Sequence, residues 1–85
     1  MAKKLYVGNL TFSINDEELE KAFAEFGEIL SAIVIKDRVS GRSKGFGFVE
    51  FANDEDADKA AEALNGTELE GREIRIDQAR DQRNV

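Results

Sequence analysis

Residues 44–51, Lys-Gly-Phe-Gly-Phe-Val-Glu-Phe, set two phenylalanines two positions apart behind a lysine, and Tyr6 stands earlier in Leu-Tyr-Val-Gly-Asn-Leu at 5–10. Flat rings stack on other planar π-systems, and a lysine or arginine beside them can meet an anion. That is the chemistry of binding. Little else in the chain could react. With no cysteine and no histidine, thiolate nucleophiles, imidazole bases, disulfides and Cys/His zinc sites are all removed. Gly45-Phe46-Gly47 lacks the third glycine of a dinucleotide fingerprint, and no phosphate-cradling GxxxxGK[ST] loop exists. Carboxylates abound, but pairs such as Glu17–Lys21 and Glu55–Lys59 read as i,i+4 partners on solvated helices. No catalytic residue, cofactor or metal ligand is expected, so the chain is not read as an enzyme.

The elements that must hold these rings fit in one small domain. The chain has 85 residues, 41% of them apolar, with six phenylalanines spread along it. That supplies one compact core and argues against disorder despite 35% charged residues. The expected domain is 1–85, with a core over about 3–79 and a polar tail at 80–85. No apolar run approaches the roughly 20 residues of a membrane span, and Met1-Ala2-Lys3-Lys4 does not open a signal peptide. The expectation is an intracellular, cytoplasmic protein without a membrane partner, the nucleus and organelles staying open.

Residues 4–9 read as a first strand closed by Gly8-Asn9. Asn15 reads as a helix N-cap, with Glu18 placed for a capping box. Leu19, Ala22, Phe23 and Phe26 follow at helical spacing, and Gly27 supplies a stop. Residues 29–36 suit a second strand, 37–43 a polar hairpin turn around Ser40-Gly41, and 44–51 a third strand. Asn53 is expected to cap a second helix, with Ala57, Ala60, Ala61 and Leu64 as its apolar stripe and Asn65-Gly66 as its end. Residues 73–77 alternate as a fourth strand, and 79–85 are polar. The order βαββαβ gives an α+β, ferredoxin-like sandwich, a four-stranded antiparallel sheet with two helices on one face.

Strand side chains alternate between faces. Leu5, Val7, Val34, Val49, Phe51, Ile74 and Ile76 fall on one face, suited to Phe23, Phe26 and Leu64 of the helices. Right-handed crossovers put both helices on that side. Tyr6, Ile33, Ile35, Phe46 and Phe48 are then left on a face with no cover, beside Lys4 and Arg75. For Phe46 and Phe48 to be core instead, Gly47, Val49 and Phe51 would have to face water. An uncovered aromatic patch with a basic fringe suits nucleobases, which stack on such rings at roughly 1–3 kcal/mol each.

At these residues the chain resembles the RNA recognition motif family. Residues 44–51 match its octamer pattern at every specified position, and 5–10 look like its companion hexamer on the first strand. The likeness runs through both helices to Gly71-Arg72, nearly the whole chain. It implies a small, single-module protein that binds single-stranded RNA at a short site, with single-stranded DNA as an open second ligand. Tyr6 and Phe48 would each stack on a base, Phe46 would pack on sugars, and Lys44 would pair with a phosphate. Lys4 and Arg75 would make polar contacts across the sheet, and Asp77 to Arg80 would meet base edges. Ile33 and Ile35 would extend the apolar platform. Arg38 and Arg42 either clamp the backbone or stay solvated in their loop, and the tail with Arg80 is read both ways too. Family members of this kind act in post-transcriptional regulation.

The net charge of −6 runs against a nucleic-acid binder. Segments 16–28 and 54–65 hold eleven of the eighteen acids and only two of the twelve basic residues, leaving the rest of the chain at +3. The negative charge thus lies on the helices, away from the open face. A thin positive excess implies about two or three ions released on binding, and roughly micromolar affinity for about two to four nucleotides. The rival reading is a protein-interaction module using the acidic helical face or the sheet face. The module is expected to be a monomer, with a protein partner on the acidic helices as that alternative.

Overall fold

The computed structural model describes residues 2–78. Its elements run β1 (Lys3–Gly8), α1 (Asp16–Ala24), β2 (Ile29–Lys36), β3 (Ser43–Phe51), α2 (Asp54–Leu64), β4 (Glu68–Leu69), β5 (Arg72–Glu73) and β6 (Arg75–Gln78). The main sheet has the order β2-β3-β1-β6, antiparallel throughout, so the two aromatic strands are its central pair. The α+β architecture expected from the sequence is the one observed.

The two helices begin differently. At α1, Asn15 Oδ1 accepts from the Glu18 amide at 2.8 Å, and Glu18 Oε1 accepts from the Asn15 amide at 3.1 Å, completing the expected capping box. At α2, Asn53 occupies the cap position but makes no side-chain cap bond. Its amide nitrogen is turned to Asp56 Oδ2 at 3.4 Å, so only the Asn53 carbonyl closes the first turn, accepting from Ala57 N at 3.2 Å. The α1 end also departs from expectation. The helix stops at Ala24, with Glu25 as its cap, before Gly27 is reached. Phe26 therefore lies beyond the helix, still packed against the core.

Leu5, Val7, Val34, Val49, Phe51, Ile74 and Ile76 are all buried on the helix-facing side, with Leu19, Phe23, Ala57 and Ala60 over them. Phe23 and Phe51 meet edge to face at 6.3 Å between centroids. Leu10 and Ile14, in the connection from β1 to α1, are buried too and join the same cluster. Alternation within strands gives no hint of these two, because a loop has no period.

The last strand is shorter than its sequence pattern. Glu73 does not continue into the main sheet. It pairs with Glu68 in a separate small hairpin, β4–β5, whose second pair is Leu69 with Arg72. The two-residue turn between them, Glu70-Gly71, has positive φ at both positions, 54° and 87°, as a type I′ turn requires. Asn-Gly or Asp-Gly is the usual signal for that turn. Glu-Gly hides it.

Both edges of the main sheet are capped by side chains at helix ends. Asp16 Oδ1, in the first turn of α1, accepts from the β2 amide of Val34 at 2.7 Å. Asn65, at the end of α2, accepts from the β6 amide of Ile76 at 2.8 Å. These two edge amides, which could otherwise help template another strand, are satisfied within the chain.

Candidate nucleic-acid interface

The open face is built by cross-strand pairing. One row of paired positions runs across all four strands, Ile33 to Phe48 to Tyr6 to Asp77, and the next across three, Phe46 to Gly8 to Arg75. Directly opposed side chains stand about 5 Å apart, so this register gathers the rings. Centroids lie 5.6 Å apart for Tyr6 and Phe46, 5.9 Å for Tyr6 and Phe48, and 6.3 Å for Phe46 and Phe48. All three are half-buried and supported by one another from the side. Among the described residues, no helix covers them.

Tyr6 leans along its own strand across Gly8. A Cβ on Gly8 would stand 2.8 Å from the Tyr6 hydroxyl oxygen and 3.0 Å from Cε1. The missing side chain is what gives the ring room to pass over Gly8.

Lys3 and Lys4 part to opposite faces. Lys3 Nζ pairs with Asp58 of α2 at 2.6 Å. Lys4 Nζ instead stands 5.9 Å from the centroid of the Phe48 ring, within cation–π range. Arg75, Asp77 and Lys44 are exposed at the margins of the same face, and Asp77 Oδ1 accepts from the Gln78 amide at 2.8 Å. Ile33 is 49% exposed on β2, while Ile35 is half-buried beyond a register shift between Val34 and Lys36. Arg38 and Arg42 are exposed in the loop between β2 and β3. That loop is organised by Asp37, whose carboxylate accepts from the amides of Ser40 at 3.0 Å and Val39 at 2.8 Å. Those two bonds hold the Asp37 pKa below its ordinary value, because they favour the charged form. Arg80 and the tail lie outside the described residues.

Three residues that the sequence pattern did not single out join the margin of this face. Phe12, between β1 and α1, is 72% exposed. Arg72 donates from Nη2 to Asn9 Oδ1 at 2.8 Å, while Asn9 Nδ2 donates to the Glu73 carbonyl at 2.5 Å. Asn9 thereby ties the small hairpin to the end of β1. With a φ of 61°, it sits in the left-handed region that Asn tolerates better than most residues. Phe12 could have been suspected as a large apolar residue outside any periodic stripe. Nothing in the sequence pairs Asn9 with Arg72.

Comparison with known proteins gives the same outline. The profile of the RNA recognition motif matches residues 5–75. The chain is 52% identical over 79 residues to "Glycine-rich RNA-binding protein 1" of Mycosarcoma maydis, covering 93% of this chain and 45% of that protein. It is 47% identical over 79 residues to "Glycine-rich RNA-binding protein 4, mitochondrial" of Arabidopsis thaliana, covering 93% and 58%. The chain thus spans about half the length of these two relatives. Among solved structures, "RNA Binding Protein PG1" superposes with a TM-score of 0.91 at 40% identity, over 94% of this chain and 96% of that one. The second RRM domain of yeast poly(U)-binding protein superposes at 0.86 with 39% identity, over 93% and 95%. With an uncovered aromatic sheet face, the βαββαβ order and a profile match over most of its length, this chain belongs to the RNA recognition motif family.

Proposed function

We propose that the chain binds single-stranded RNA on its open sheet face and performs no catalysis. The observation that carries this reading is the clustering of Tyr6, Phe46 and Phe48 within 5.6–6.3 Å of one another on an uncovered face. Base stacking on Tyr6 and Phe48, with Phe46 against sugars, supplies most of the affinity, because every base offers a π-face. Lys44 meets a phosphate. Lys4 and Arg75 hold the strand in register, and Asp77 accepts from base edges. Ile33 and Ile35 widen the platform, and Arg38 and Arg42 guide the backbone at the loop. Arg80, outside the described residues, joins Asp77 in meeting base edges.

Family membership and relatives named for RNA binding support RNA over single-stranded DNA, which the same rings would also accept. The module acts as a monomer inside the cell, and relatives named as mitochondrial and chloroplastic make an organelle as suitable as the cytoplasm.

Titration with random-sequence oligoribonucleotide pools tests the reading. Phe48→Ala should weaken binding about 5- to 150-fold, the loss of one stacked base at roughly 1–3 kcal/mol. Unchanged affinity in that variant, or chemical-shift changes confined to α1 and α2, would overturn it in favour of a protein-binding helical face.

A further inference from the structure

One turn away from the platform holds two groups that can react with each other. Asn65 is the only asparagine of the chain followed by glycine. With no side chain on the glycine, the peptide nitrogen between them is unshielded. That nitrogen can attack the Asn65 side-chain carbon Cγ, its own proton passing to water and ammonia leaving. Water then reopens the cyclic imide. Opening at one carbonyl gives aspartate. Opening at the other gives isoaspartate, in which the main chain runs through the side-chain carbon and is longer by one atom.

Asn65 and Gly66 are both exposed, so water reaches them. Their conformation nevertheless holds the reacting groups apart. Asn65 has ψ at 125°, which turns the Gly66 nitrogen away from the Asn65 side chain. Ring closure needs a large rotation about the Asn65 Cα–C bond. Each group is also bonded elsewhere. Gly66 N donates to the Ile74 carbonyl at 2.9 Å, and Asn65 Oδ1 accepts from the Ile76 amide at 2.8 Å. Beside them, Thr67 N donates to the Leu64 carbonyl at 3.0 Å and Ile74 N to the Thr67 carbonyl at 2.8 Å. The rotation that closes the ring breaks the bonds that fasten the end of α2 to β6. Ile74 is buried and Ile76 pairs with Val7 in the main sheet, so this corner opens only with loss of core packing.

We propose that Asn65-Gly66 is a modification site gated by the fold. It converts only in chains whose α2–β6 corner has opened, and isoaspartate there keeps the corner from closing again. The longer main chain shifts Gly66 and Thr67 out of register with Ile74, and β6 loses its fastening. Because β6 carries Arg75 and Asp77, conversion also removes one margin of the binding face. That last consequence rests on the platform reading; the gating does not.

The intact chain would be held at mildly alkaline pH, natively and in denaturing urea, and sampled over days. Trypsin, cutting after Lys59 and Arg72, releases the fragment with Asn65, whose gain in mass as amide becomes acid gives the rate. Native conversion should be at least about tenfold slower than in urea, as for a corner open about one part in ten or less. Equal rates would overturn the gating. The isoaspartate form, made in urea, separated by chromatography and refolded, should have a lower urea midpoint than the wild type. It should also bind random-sequence oligoribonucleotide pools at least about fivefold more weakly. Asn65→Asp keeps an acceptor for the Ile76 amide and the ordinary main chain, so it should stay near the wild type in both. An isoaspartate form with the wild-type midpoint, or an Asn65→Asp variant destabilised as much, would overturn the proposal. A lowered midpoint with unchanged affinity would strike the binding consequence alone and leave the gating standing.

Discussion

The two faces of the sheet are written by alternate residues of the same strands, yet they answer to different demands. In β3, Val49 and Phe51 are fully buried under the helices, while Phe46 and Phe48, just before them on the strand, stay half-exposed. In β1, Leu5 and Val7 are buried while Tyr6 lies open. Composition does not separate the faces, since both are rich in aromatic and aliphatic side chains. Cover does. A phenylalanine under a helix stabilises the fold; the same residue one position along is available to a ligand. The charge follows the same division, with eleven acids on the segments that carry the helices and a small positive excess elsewhere. Carboxylates across the sheet from the rings are largely screened beyond about 8–10 Å at physiological salt. They should slow encounter more than they loosen the bound state.

That contrast can be broken most severely at Phe51. Phe51→Ala should destabilise the domain by about 3–5 kcal/mol, read as a shift in urea midpoint, because it opens a cavity under α1 and α2. A domain this small has little stability in excess of that, so the variant should be largely unfolded on mild heating. Phe48→Ala should do the converse, losing the affinity described above while its urea midpoint moves little. Equal effects of the two variants on stability would erase the distinction between the faces.

Salt sharpens the division next. With about two or three phosphate contacts, affinity should fall by only about tenfold between 50 and 200 mM salt. A much steeper fall would mean that cations, not rings, carry the binding. The smallest effects belong to the paired lysines. Lys3→Ala should cost at most about 1 kcal/mol of stability by losing an exposed ion pair with Asp58, with no change in affinity. Lys4→Ala should lower affinity a few-fold and leave stability alone, as expected for a cation beside the Phe48 ring. Neighbours in sequence would then report on opposite faces.

How far the sequence foretold this depends on whether a feature repeats. The capping box at Asn15 and Glu18 and the span of β2 follow from local periodicity and short-range bonds, and they are found as expected. So is the gathering of the platform rings, because alternation and strand order fix it together. What escaped is aperiodic. Leu10 and Ile14 are core residues in a loop, the Glu70-Gly71 turn uses an uncommon first residue, and Asn53 looks like a cap while its amide serves Asp56 instead. Arg72 belongs to the margin of the platform through Asn9, a contact across 63 positions that no local pattern announces.

The chain contains one tyrosine and no tryptophan, so its intrinsic emission comes from Tyr6 alone. Titrating a random-sequence oligoribonucleotide pool while following that emission tests the stacking platform directly. Saturable quenching of Tyr6, at the same concentrations that displace a labelled oligonucleotide, is the predicted result. Binding that leaves Tyr6 emission unchanged would contradict it.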